Sequence, residues 1–174
     1  MKIFKTKFKD LVIIESKSFY DSRGYFREIA IEKLIKKKLI FTVVSKSKKN
    51  VLRGLHFQRK NPQGKYLSVI KGEIFDVALD CRSKSKTFGK YYKINLSEKN
   101  SKSIYIPPGF AHGFVGLKKE NIVLYSCTNY RHKKSECGIM WNDPVLRIKW
   151  PTKRPILSAK DEKNQSFNHY FKSK

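Results

Sequence analysis

Apolar and polar residues alternate over short distances along most of this chain, with a period near two. A half-buried strand has that period. The run Asp10-Leu11-Val12-Ile13-Ile14-Glu15 predicts a first strand. Asp21-Ser22-Arg23-Gly24 reads as a turn and 25–29 as a strand after it. Residues 31–38 place Ile31, Leu34 and Ile35 on one helical face and predict a short helix. From 41 onward the pattern predicts strands at 41–47, 51–57, 65–71, 73–79, 89–96, 103–106, 112–117, 121–128 and 138–141. Turn signals such as Asn61-Pro62-Gln63-Gly64, Lys71-Gly72 and Pro107-Pro108-Gly109 separate them. Trp150-Pro151 closes the β pattern, and 159–172 suits a loose helix. Many short strands at 8–12-residue spacing predict an all-β sandwich or barrel. Asp76 breaks the pattern, lying within Phe75-Asp76-Val77-Ala78-Leu79. It belongs either to a polar barrel end or to a pair inside the barrel.

The chain has 174 residues, 40% of them hydrophobic, which suits one domain over 1–174 with a packed core. No internal repeat or linker divides it. No run of about 18 apolar residues predicts a membrane span, and the Met1-Lys2-Ile3-Phe4-Lys5 start lacks a signal peptide's apolar stretch. The expectation is a cytosolic protein. Three cysteines, Cys81, Cys127 and Cys137, form no C-x-x-C pair and argue against a disulfide framework or zinc ribbon.

Net charge is +25, from 39 Lys+Arg against 14 Asp+Glu. Such a field attracts polyanions at low salt. Lysines are spread along the whole chain, however, as in proteins from A/T-rich genomes. The signatures of RNP, zinc-finger and helix-turn-helix modules are missing, so no specific nucleic-acid partner is expected. A small anionic substrate needs only a few of these cations.

Candidate chemistry centres on histidines. His56 lies in Leu52-Arg53-Gly54-Leu55-His56-Phe57-Gln58, where ideal alternation puts 52, 54, 56 and 58 on one face and Arg53, Leu55 and Phe57 on the other. His112 lies between glycines in Pro108-Gly109-Phe110-Ala111-His112-Gly113-Phe114, leaving room for a ligand. Either histidine could equally be a satisfied core group. Tyr125, in phase with Val123 and Cys127, suits core or rim packing. Metal is disfavoured: Gln58 stands where a ligand would complete H-x-H, and 59–66 hold no carboxylate.

Taken together, the motifs resemble the dTDP-4-dehydrorhamnose 3,5-epimerase family. They are Asp21-Ser22-Arg23-Gly24-Tyr25-Phe26, Ser45 to Gln58 with its Arg53-Gly54-Leu55-His56-Phe57-Gln58, Gln63-Gly64-Lys65, Gly72 to Asp80, Ser85 to Gly89, Ile106 to Phe114, Leu124-Tyr125, Ile139 to Asp143, and Leu157 to Asp161. They run in family order from about residue 10 to 162. The resemblance implies a cupin-type jelly roll with a few short helices, acting as a homodimer without metal or organic cofactor. It implies a nucleotide-diphosphate sugar of the dTDP-4-keto-6-deoxyglucose type as substrate. By the same resemblance His56 is the base, Asp161 its orienting carboxylate, Tyr125 the acid on the opposite face, and Lys65 the cation at the keto oxygen. Arg23, Glu28, Arg53, His112, Glu136 and Lys160 match positions that line the sugar-nucleotide site.

The chemistry suits those residue types. Protons at C3 and C5 flank a C4 ketone, an imidazole with an ordinary pKa near ~6.5 is a sensible base, and an ammonium stabilises an enolate oxygen. The chain departs from the family twice. A polar Q-x-N stretch before Ser45 is replaced by Phe41-Thr42-Val43, and Arg131 stands where an aromatic often stacks on thymine. Other readings are a 3-epimerase, a ketoisomerase on another nucleotide sugar, or a non-catalytic cupin-fold binding module.

Overall fold

A computed structural model describes residues 1–30 and 32–171. Among the described residues thirteen strands carry the fold. The first four are β1 (Lys2–Lys5), β2 (Val12–Glu15), β3 (Ser18–Asp21) and β4 (Gly24–Arg27), followed by the single helical turn α1 (Glu32–Ile35). The barrel strands are β5 (Phe41–Lys48), β6 (Leu52–Gln58), β7 (Lys65–Lys71), β8 (Glu73–Asp80), β9 (Tyr91–Ser97), β10 (Lys102–Ile106), β11 (Phe110–Gly116), β12 (Glu120–Cys127) and β13 (Glu136–Gly138). Two further helical turns, α2 (Ala159–Glu162) and α3 (Phe167–Tyr170), follow β13 among the described residues.

Two antiparallel sheets face each other, in the orders β1-β2-β10-β7-β12-β5 and β13-β6-β11-β8-β9, and β3 pairs with β4 apart from both. This is the jelly roll expected from the sequence. Between the sheets lie Leu67, Val69, Ile104, Ile106 and Val123 from one, and Ile74, Ala78, Leu96 and Phe114 from the other. Each of these side chains other than Ala78 contributes roughly 1.5–3 kcal/mol by leaving water. The outer face of the five-stranded sheet (Leu55, Phe57, Val77, Leu79) is covered by the C-terminal segment through Phe167, Tyr170 and Phe171. The outer face of the six-stranded sheet (Ile14, Tyr66, Tyr105) is covered by Ile35 and Leu34. No helix among the described residues is long and apolar enough to cross a membrane.

Several expectations are corrected. The helix over 31–38 is only Glu32–Ile35, because Lys36 turns into left-handed backbone (φ 53°); Ile31 lies outside the described residues. The loose helix over 159–172 is two turns, each capped by a serine side chain, Ser158 and Ser166. β1 and β3 were not predicted. Every residue of β1 is exposed, so no buried face marks it, and it exists through pairing with β2.

β6 departs from ideal alternation. Against β11, His56 pairs with His112 but Arg53 pairs with Phe114, so three steps on β6 oppose two on β11. This bulge rotates Arg53 onto the face of His56, correcting the expected opposite faces. Gly54 allows it: at φ 124°, a Cβ there would meet the Gly113 Cα at 2.5 Å.

Candidate active site

The barrel opens into a cavity of about 270 Å³ lined by Ser45, Arg53, His56, Lys65, His112, Phe114, Tyr125, Ser158, Lys160 and Asp161. Five strands and α2 contribute. The volume falls below the ~300–1,000 Å³ of pockets that enclose drug-sized ligands. The cavity therefore has room for one small ring rather than for a whole drug-sized ligand.

His56 Nε2 stands 2.6 Å from Asp161 Oδ1. The two residues are 105 positions apart in the chain. They meet because the C-terminal segment is fastened beside β6 at both ends. Val51 bridges Ile156, Ile139 bridges Gln165, and Asn164 Nδ2 donates to the Gly54 carbonyl at 3.1 Å. The Ser158 cap also accepts the Asp161 N–H, which sets the first turn of α2. Burial pushes the Asp161 carboxyl up, but the bond and charge of His56, with help from the Gly54 backbone and Ser158, hold it below the usual range. A carboxylate so placed orients the imidazole and leaves the other ring nitrogen to take a proton.

Lys65 starts β7 on the facing six-stranded sheet. Burial lowers its pKa, opposed by Cys127, Glu136 and Asp76. Tyr125, on β12, packs its ring against the inter-sheet core. Burial raises its phenol, with Cys127 adding to the rise and Arg53 and Arg131 opposing it, so the hydroxyl keeps its proton at neutral pH. Arg53 is held by Ser47 Oγ (2.9 Å) and the Lys46 carbonyl (3.0 Å).

Three further predicted residues form a chain at the rim. Arg131 donates twice to Glu136, at 3.0 and 2.8 Å, and Lys160 Nζ donates to Glu136 Oε2 at 2.7 Å. The Arg131 bonds, then Lys160, hold the Glu136 carboxyl down at about 2 against its burial. Nearby, Phe41 and Tyr130 lie parallel within 3° at 6.0 Å between centroids.

Arg23 and Glu28 do not join this group. Arg23 sits on the exposed β3–β4 hairpin and pairs with Asp21 at 2.6 Å; Glu28 follows the hairpin and is exposed. Neither lines the cavity of its own chain. Sequence reasoning missed Ser45 as a lining residue, although its hydroxyl is buried without a partner. It also left Asp76 undecided; the structure pairs it, buried, with His112 at 2.6 Å. Among the described residues no three His, Cys, Asp or Glu side chains converge as metal ligands.

A larger cleft of about 1070 Å³ opens between the turns at Lys46–Lys49, Lys71–Glu73, Ser97–Lys99 and Lys118–Glu120. It contains lysines and glutamates, several of them paired, such as Lys46 and Lys71 with Glu120. It holds no histidine, so its size does not make it the site of proton chemistry.

Known proteins resemble this chain in sequence and in fold. The family described as dTDP-4-dehydrorhamnose 3,5-epimerase matches residues 5–169. The dTDP-4-dehydrorhamnose 3,5-epimerase of Salmonella typhimurium is 49% identical, over 92% of each chain. That of Methanothermobacter thermautotrophicus is 43% identical, over 92% of this chain and 91% of its own. The crystal structure of a dTDP-6-deoxy-D-glucose-3,5-epimerase from Legionella pneumophila Philadelphia 1, in complex with dTDP-4-keto-L-rhamnose, superposes with a TM-score of 0.92. It is 41% identical, with 96% of this chain and 93% of that chain covered. With its jelly roll, its His56–Asp161 pair and this likeness along nearly its whole length, the chain belongs to the dTDP-4-dehydrorhamnose 3,5-epimerase family.

Proposed function

We propose that this protein epimerises a nucleotide-linked 4-keto-6-deoxy sugar at C3 and C5, turning dTDP-4-dehydro-6-deoxy-D-glucose into dTDP-4-dehydro-L-rhamnose. The observation that carries this reading is the convergence of a carboxylate-backed imidazole, a half-buried lysine and a protonated tyrosine on one sugar-sized cavity.

His56 takes the proton from C5, and the C–H electron pair flows toward the C4 carbonyl, giving an enolate. Lys65 stabilises the oxygen that gains charge, an effect worth several kcal/mol in a site closed to water. Tyr125 returns a proton to C5 from the other face. His56 then passes its proton to solvent and Tyr125 regains one. The same cycle at C3 completes the change, and no net redox step occurs. Burial serves the acid: a phenol whose pKa is raised stays protonated until the carbanion forms. Arg53, Arg131 and Lys160 are the cations for the diphosphate, with Glu136 fixing the last two as a pair.

The protein acts as a homodimer. Its β3–β4 hairpin exposes Phe19, Tyr20, Tyr25 and Phe26, the most exposed being Tyr20 at 72%. A patch of this kind on a protruding hairpin suits burial by a second copy. Such a partner also gives Arg23 and Glu28 a cavity to serve. Three free thiols suit a cytosolic setting.

Turnover in heavy water tests the reaction. Deuterium is expected at both C3 and C5 of the product. Label at C3 alone would narrow the enzyme to a 3-epimerase, and no label at either carbon would sink the reading. Sedimentation velocity tests the assembly, where a monomer at micromolar concentration would refute the dimer.

A further inference from the structure

Gln58 closes the motif that holds His56, at the end of β6, and the proton chemistry above gives it no part. Its side chain is buried. The carboxamide reaches three backbone groups on two loops. Nε2 donates to the Asn61 carbonyl at 2.8 Å and, at a longer 3.4 Å, to the Tyr130 carbonyl. Oε1 accepts the His132 N–H at 2.8 Å. The amide faces only this way, since a flip would set nitrogen against an N–H and oxygen against two carbonyls. The Asn61 bond fixes the amide on its own turn, and the other two straddle Arg131. Residues 128–132 run from the end of β12 to a 3₁₀ turn at Lys133–Ser135, outside any ladder among the described residues. Side chains therefore hold their backbone. Glu136, the Cα partner of Gln58 on β13, holds the Arg131 guanidinium by two bonds and Lys160 by a third, and Lys160 lines the cavity. Gln58 thus fixes the backbone on both sides of Arg131, and Glu136 fixes its head.

We propose that Gln58 is a positioning residue for substrate binding: it clamps the loop between β12 and β13 so that Arg131, beside Lys160, is already placed at the cavity rim for the diphosphate of a nucleotide sugar. The inference rests on the epimerase reading above, which supplies that diphosphate. The Arg131 side chain is 60% exposed. An exposed arginine gives up rotamer freedom when it binds an anion, and a root and head fixed beforehand remove much of that cost. Each hydrogen bond of a buried amide adds little net stability, but three directed bonds fix a position. The loop keeps other ties: Gly64 N–H to Thr128 Oγ1 at 2.8 Å, Gln63 Nε2 to the Asn129 carbonyl at 2.8 Å, and Ser135 Oγ to the Lys60 carbonyl at 3.1 Å. Loss of the Gln58 bonds therefore loosens the stretch around Arg131 and leaves the loop attached.

Gln58→Met removes all three bonds at similar volume. With dTDP as the probe in titration calorimetry, Kd is expected to rise about tenfold. KM for the nucleotide sugar should rise alike while kcat stays within about twofold, because binding lost equally from ground and transition states leaves kcat alone. A double-mutant cycle with Arg131→Ala decides the route. Acting through Arg131, Gln58→Met adds less than about twofold to the Kd of the Arg131→Ala protein. A general loosening of the structure would add the full factor there as well. That additivity, or an unchanged Kd in Gln58→Met alone, overturns the proposal. Should Gln58→Met fail to fold by circular dichroism, Gln58→Asn, whose amide falls a methylene short of its partners, goes through the same cycle under the same criteria. Wild-type controls keep the two readings apart. No solvent exchange at C3 or C5 would strike the epimerase reading, while wild-type exchange and dTDP binding beside an additive cycle would strike only this inference.

Discussion

Two imidazole–carboxylate pairs stand on adjacent strands, each closed at 2.6 Å through Nε2. His56 keeps 31% of its side chain open to the cavity, and its partner Asp161 arrives on a terminal helical turn. His112 keeps 8% and its partner Asp76 none, and both belong to the barrel sheet. The same bond therefore does different work. In the open pair the carboxylate orients an imidazole that the cavity can reach. In the closed pair it holds a ring still in a place where motion and hydration are both suppressed. The open pair is completed by a late, separable segment, and the closed pair is built into the sheet.

Substitutions should separate the pairs in a fixed order. His56→Ala is expected to cost the most, about 10³-fold in turnover, with the melting temperature nearly unchanged; near-normal turnover would remove His56 as the base. Asp161→Asn should cost about 10²-fold, since the imidazole loses its charged orienter, again with little change in stability. Tyr125→Phe should cripple epimerisation yet retain part of the exchange of substrate hydrogen, because proton removal does not need the phenol. Normal epimerisation by that variant would exclude Tyr125 as the acid.

Stability should show the reverse ranking. Asp76→Ala strands a buried imidazole and is expected to cost about 2–4 kcal/mol in urea unfolding. Asp161→Ala leaves His56 facing the cavity, where water can replace the bond, and should cost about 1 kcal/mol. Equal costs would erase the distinction. The smallest effect lies at the rim. The Glu136 carboxyl is held at about 2, below its ordinary 4.5. A depressed carboxyl stabilises the fold fully above its unfolded pKa and loses that contribution as pH falls toward the folded value. Glu136→Gln should therefore flatten the pH dependence of the urea midpoint below about pH 4.5, by no more than about 1 kcal/mol because its partners are largely exposed. An unchanged slope would mean that the rim contributes nothing to the fold.

The sequence by itself determined the β-rich order, the positions of the main turns and the histidine motif around His56. Alternation and turn chemistry act between near neighbours and can be read locally. Only the tertiary structure decided which groups meet. Asp161 reaches His56 across 105 residues because two backbone bridges fasten the C-terminal segment beside β6. Arg53 shares a face with His56 because Gly54 admits a bulge that strict alternation does not foresee. Asp76 finds His112 36 positions away because β8 and β11 are paired in the sheet. Arg23, matched to the site by sequence, stays outside its own chain's cavity because its hairpin pairs only with itself. Such contacts depend on how distant strands close into a barrel, and residue spacing along the chain carries no term for that.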